Sequence, residues 1–140
     1  MTETETTTLF EEGLKRYQAG EEPETLLPVF EDICNRAPKN ASAWACVAWL
    51  YLLMDKPKNA LKAAQKSVKL DATSPQSRIN LALALLDSGE KGVRPHIQVV
   101  QQIMTLDADI RQDIEENIED GLNRKPDWDS LKRIKSWLNS

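Results

Sequence analysis

The side chains best able to do chemistry in this 140-residue chain are one histidine, two cysteines and a run of carboxylates. None of them is spaced for it. His96 has no serine or cysteine nucleophile and acid in a recognisable motif around it. Glycine-rich phosphate loops and metal-ligand spacings are absent as well. Cys34 and Cys46 form neither a disulfide framework nor a metal-binding pair, and they read as small buried thiols of a reducing compartment. The carboxylates crowd between Asp107 and Asp120 but lack the alternating oxygen ligands and turn glycine of a calcium loop, so they read as a solvated helix face. No catalytic residue, metal ligand or cofactor site is expected, and the chain is not expected to be an enzyme. Asn40-Ala41-Ser42 matches a glycosylation sequon, but Asn40 reads better as the cap of the helix that follows it.

Composition narrows the remaining classes. Hydrophobic residues make up 41% and charged residues 29%, which suits a globular domain rather than a disordered one. A net charge of −4 argues against a nucleic-acid binder, which needs clustered Lys and Arg. The opening Met1-Thr-Glu-Thr-Glu-Thr-Thr-Thr8 carries acid and no following apolar stretch, unlike a secretory signal. The most apolar run, Ala41 to Met54, is shorter than the ~20 residues that span a bilayer. These features predict a cytoplasmic protein.

The elements that organise these residues emerge when the sequence is shifted by 34 positions. Phe10 then falls on Trp44, Leu14 on Ala48, Tyr17 on Tyr51, Leu26 on Ala60 and Phe30 on Ala64. A third copy continues with Leu81, Ala82 and Leu85. Its tail slips by two, since Leu70-Asp71-Ala72 recurs as Leu106-Asp107-Ala108, and the insertion falls most simply at Gly89-Glu90-Lys91-Gly92. Within one copy, Trp44, Val47, Ala48 and Tyr51 share a helical face, while Ala60, Ala64 and Ser67 let two helix axes approach closely. Ser74-Pro75 marks a helix start, and Lys56-Pro57 does so less well. Helices are predicted at about 6–19, 23–36, 41–54, 57–70, 75–88 and 92–106.

These residues resemble the tetratricopeptide repeat family, whose unit is a helical hairpin with Trp, Leu-Gly, Tyr, Ala, Phe and Pro at fixed positions. The middle copy matches best, through Trp44, Val47, Ala48, Tyr51, Ala60 and Ala64. The third is degenerate, with Arg78 at the tryptophan position and His96 at a small-residue position. The resemblance implies an all-α, right-handed superhelical stack of about three hairpins (7–40, 41–74, 75–108) in a single domain. Residues 109–140 break the pattern. Ile110, Ile114, Ile118 and Leu122 predict a helix that stops at Gly121-Leu122-Asn123. Pro126-Asp127 opens another, with Trp128, Leu131, Ile134 and Leu138 on one stripe and Trp137 beside it. The pair is expected to cap the array. The basic residues of the last helix leave membrane contact as a further reading.

The resemblance also implies which positions face a concave groove. The candidates are Glu11, Lys15 and Gln18 from the first copy, and Ala45, Trp49, Leu52 and Leu53 from the second. The third contributes Gln76, Ile79, Asn80, Leu83, Leu86 and Asp87. Segment 41–54 is apolar all round, so its second face needs a cover. A partner protein's amphipathic helix or apolar segment would supply one, which predicts an adaptor, scaffold or assembly-factor role. The alternatives are a second copy in an oligomer and the chain's own last helix. A clamp for a peptide's terminal carboxylate is not expected. Of Glu11, Lys15, Cys46, Gln76 and Asn80 at the corresponding positions, only Lys15 is cationic, with Glu11 one turn away.

Overall fold

The computed structural model describes residues 2–140. It contains α1 (Glu3–Gln18), α2 (Pro23–Arg36), α3 (Ala41–Leu53), α4 (Pro57–Leu70), α5 (Pro75–Asp87), α6 (Arg94–Leu106), α7 (Ala108–Arg124) and α8 (Asp129–Leu138), with no strand among the described residues. Consecutive helices pack as hairpins, and each hairpin lies against the next.

Local chemistry sets the starts. The Asn40 side chain accepts from the Ala43 amide at 3.0 Å, and Ser74 accepts from Ser77 at 3.2 Å, so both act as helix caps. Proline opens α2, α4 and α5, where its missing N–H is not needed. Lys56 offers α4 no side-chain cap. The two-residue insertion lies in the turn between α5 and α6, where Gly89 and Gly92 adopt φ of 70° and 99° that other residues resist.

Two apolar clusters hold the stack. The first joins α1 to α4 through Leu26, Phe30, Ile33, Val47 and Leu50, and reaches Leu81 and Leu85 of α5. Gly13 sits so close to Phe30 that an added Cβ would meet the ring at 2.7 Å. The second cluster joins Leu52, Ile79, Leu83 and Val100 to Ile114, Ile118, Trp128, Leu131 and Ile134 of the C-terminal pair. Between the clusters, Ser67 Oγ donates to the Ala41 carbonyl at 2.9 Å and meets Ser77 Oγ at 2.5 Å, so two small buried hydroxyls satisfy each other.

The C-terminal pair departs from expectation in two ways. Helix α7 does not stop near Gly121 but continues to Arg124, and α8 begins at Asp129 rather than at Pro126. Gly121 is a contact residue, not a terminator. A Cβ there would lie 2.7 Å from Leu131 Cδ2 and 2.8 Å from Trp49 Cη2, so its bareness lets α7 lie against α3 and α8. Substituting Gly121 by Ala gains about 1 kcal/mol of helix propensity but overpacks the contact by about 1–3 kcal/mol. Urea unfolding of Gly121→Ala is expected to show a net loss of up to about 2 kcal/mol.

Candidate functional site

The groove predicted from the repeats is mostly closed by the chain itself. Leu52, Ile79 and Leu83 are at most 1% exposed, and Ala45 and Asn80 are buried with them. Trp49, Leu53 and Leu86 are half-buried against the same cluster. For Trp49, Leu52, Leu53, Ile79 and Leu83 the expected partner segment is therefore corrected in favour of the alternative in which the chain's own C-terminal helices supply the cover. Trp49 and Leu83 do share one side of the stack, but their cover is α7–α8. The physical reason is the stripe of Trp128, Leu131, Ile134 and Leu138 on α8, which has no other place to bury its apolar surface. Glu11, Lys15, Gln18 and Asp87 remain exposed at the margins, and Gln76 is half-buried.

What stays open is a cleft of about 180 Å³ between α1, α3 and α7. Leu14 and Tyr17 of α1, Phe30 of α2, and Ala45, Cys46, Trp49 and Leu50 of α3 form its apolar lining. Gln76, Asn80, Asn117 and Asp120 supply its polar edge. Of these, Ala45, Trp49, Gln76 and Asn80 were predicted groove residues. Leu14, Tyr17 and Phe30 had been identified only as repeat-packing positions. Asp120, read from the sequence as part of a solvated acidic face, instead turns toward the cleft, and Asn117 is not singled out by the sequence because its helix carries no repeat pattern.

The polar edge is a wired ladder. Asn117 Nδ2 donates to Gln76 Oε1 at 3.0 Å, Gln76 Nε2 to Asn80 Oδ1 at 2.7 Å, and Asn80 Nδ2 to the Ala45 carbonyl at 3.0 Å. Asn80 is fully buried, so this chain satisfies it and fixes the orientation of Gln76.

A second network closes the other end. The Tyr17 hydroxyl donates to Asp120 and accepts from Trp49 Nε1 at 2.8 Å. Arg124 pairs with Asp120 at 3.1 Å, donates to the Tyr17 carbonyl at 2.9 Å and lies 3.8 Å from the Tyr17 ring centre. Nearby, Lys125 Nζ donates to the Leu52 carbonyl at 3.0 Å and to Asp55 at 2.7 Å, covering the end of α3. Trp128 packs against Trp49 with ring centres 5.4 Å apart and planes tilted by 49°, and donates to Asp87 at 3.1 Å.

Burial, together with the hydrogen bond to Asp120, raises the Tyr17 pKa above its ordinary value. Burial likewise pushes the Cys34 and Cys46 thiols up to about 12, which leaves them protonated and unreactive. His96 is held below its usual value by burial and the neighbouring Arg78, whose Nη1 lies 3.0 Å from its Nδ1. These groups are shifted toward their neutral forms, and no metal-binding cluster of His, Cys, Asp or Glu occurs among the described residues.

Comparison with known structures places this architecture. The PcrH structure in complex with the chaperone-binding region of PopD superimposes with a TM-score of 0.70 at 16% identity, over 89% of this chain and 96% of that one. The Yersinia enterocolitica type III secretion translocator chaperone SycD gives 0.65 at 17%, over 99% and 92%. The first TPR of Spaghetti (RPAP3), bound to an HSP90 peptide, gives 0.58 at 14%, over 100% and 98%. The fold is that of a tetratricopeptide-repeat domain. No protein-family model matches the sequence, and no curated protein matches it. No helix among the described residues is long and apolar enough to cross a membrane.

Two outcomes test the site. Tyr17→Phe removes the donor to Asp120 and the acceptor of Trp49, and is expected to cost about 1–2 kcal/mol in urea unfolding at neutral pH. Because the folded-state pKa of Tyr17 is raised, its contribution is complete below the unfolded value of about 10 and declines as pH rises past it. The stability curve of Tyr17→Phe should therefore fall less steeply than that of the parent above roughly pH 10. For the thiols, the folded protein at pH 8 should react with a thiol reagent at least about tenfold more slowly than the urea-unfolded chain.

Proposed function

We propose that this protein is a non-catalytic binding module that holds an extended segment of a partner protein in the cleft between α1, α3 and α7. The observation that carries the reading is the pairing of an apolar lining with the amide ladder of Gln76, Asn80 and Asn117. An aliphatic or aromatic anchor from the partner would leave water against Leu14, Cys46 and Trp49. The outer amides would meet peptide groups of the same segment. An extended chain has such groups free, whereas a helix has already used them internally. The cleft is too small for a whole helix to lie in, since α7 occupies that place.

The PcrH structure holds a binding region of another protein, and the RPAP3 domain holds an HSP90 peptide. A peptide-holding role on the same architecture agrees with the geometry here. The lining of this cleft includes no Lys or Arg, so recognition by an apolar anchor fits it better than recognition of a terminal carboxylate. The two free thiols, Cys34 and Cys46, suit a reducing, cytoplasmic setting.

Crosslinked capture from native extract tests the reading. Cys46→Trp, which fills the cleft, is expected to abolish capture while helical circular dichroism persists. Asn117→Ala, an exposed change, should weaken capture up to about tenfold. Capture undiminished by both would exclude the cleft. Leu83→Glu is no probe of binding, because it places a charge at a fully buried position and should unfold the stack.

A further inference from the structure

The outer surface of the stack carries a charge pattern that neither the cleft nor the core explains. The segment 56–70, which contains α4, has no Asp or Glu, and neither does 91–106, which contains α6. On α4, Lys58, Lys62, Lys66 and Lys69 are all exposed and follow one another at intervals of four, four and three residues, a single ridge about 16 Å long. Among the described residues none of the four takes part in an ion pair or side-chain hydrogen bond, whereas Lys125 and Lys135 elsewhere each find a carboxylate. An uncompensated cationic ridge is unusual in a protein whose net charge is −4.

The opposite pattern lies on α7. Asp109, Asp113 and Glu116 are exposed at intervals of four and three, and none of them is in an ion pair. Within one molecule the two faces are separated, because α4 packs on α3 and α5 while α7 packs on α6 and α8. They can meet only between molecules. At physiological ionic strength the Debye length is about 8 Å, so the net repulsion of two acidic molecules is largely screened while charges in direct contact still attract.

We infer that the lysine ridge on α4 is a docking surface for the acidic face of α7 from a second copy of this chain. Lys62, Lys66 and Lys69 repeat the four-and-three spacing of Asp109, Asp113 and Glu116 over about two helical turns, so these three lysines each meet a carboxylate when the two helices run parallel. The outward residues between the lysines, Asn59 and Gln65, are polar, and no exposed aromatic interleaves with them, so the ridge lacks the anchors of a membrane-inserting or base-stacking surface. Because the two faces differ, the contact is heterologous and runs head to tail. It is held by exposed charges and is therefore reversible and salt-sensitive.

Analytical ultracentrifugation of the full chain tests this. At roughly 0.15 M salt, where the Debye length is about 8 Å, the protein should associate in a concentration-dependent way, and at roughly 1 M salt it should sediment as a monomer. Lys62→Gln with Lys66→Gln should be monomeric at the lower salt concentration, and so should Asp113→Asn with Glu116→Gln. All four positions are exposed, so helical circular dichroism is expected to stay unchanged in both variants. Mixing the two variants restores one intact ridge and one intact acidic face, and should give a one-to-one dimer that grows no further. A parent monomeric at every salt concentration would overturn the inference. So would association that survives either double substitution, or a mixture that stays monomeric.

Discussion

A helix that is apolar on all sides dictates the rest of this structure. Helix α3 buries Val47, Ala48 and Leu50 toward the first apolar cluster and Leu52 toward the second, with Trp49 against the C-terminal pair. Leaving its second face in water would forgo about 1.5–3 kcal/mol for each large side chain. The stack therefore cannot end as a bare open curve, and α7–α8 supply the missing surface. The glycine at 121 is the local condition for that closure, because a Cβ there would run into the Trp49 ring and the Leu131 side chain.

Much of this was legible in the sequence. The 34-residue register placed six helices, and the caps at Asn40 and Ser74 sit where the sequence put them. The apolar stripe of α8 was also readable. What could not be read was which cover the groove would take. Hydrophobic pattern says that Leu52, Ile79 and Leu83 must be buried, yet it is silent on whether the burial is within or between chains. Gly121 misled for a related reason. A glycine near a helix end has two physical uses, as a left-handed terminator and as a point of close approach, and local sequence does not separate them. The contribution of Asp120 depends on α7 reaching α1, more than 100 residues away in sequence, and that of Asn117 on its reaching Gln76 of α5, and no periodicity announces either contact.

The two polar networks share a design. Each links side chains from α5 or α1 to α7 through hydrogen bonds between protein groups, so they fix geometry without leaving buried charge unpaired. The ladder of Gln76, Asn80 and Asn117 is neutral throughout. The one ion pair, Arg124 with Asp120, keeps partial access to water and is tied to Tyr17 on both sides. Such a frame orients the walls of the cleft while placing no net charge on its floor.

The order in which the chain is made gives the late position of α7–α8 a further meaning. While the polypeptide leaves the ribosome, α3 and α5 are complete long before their cover exists. At the rate of translation, about 5–20 residues per second, the interval is on the order of seconds. Through that interval the nascent stack presents the sticky inner side of its second and third hairpins to whatever surrounds it. The last docking event thus follows the synthesis of α8, and only then does the stack pass from a vulnerable to a sealed state.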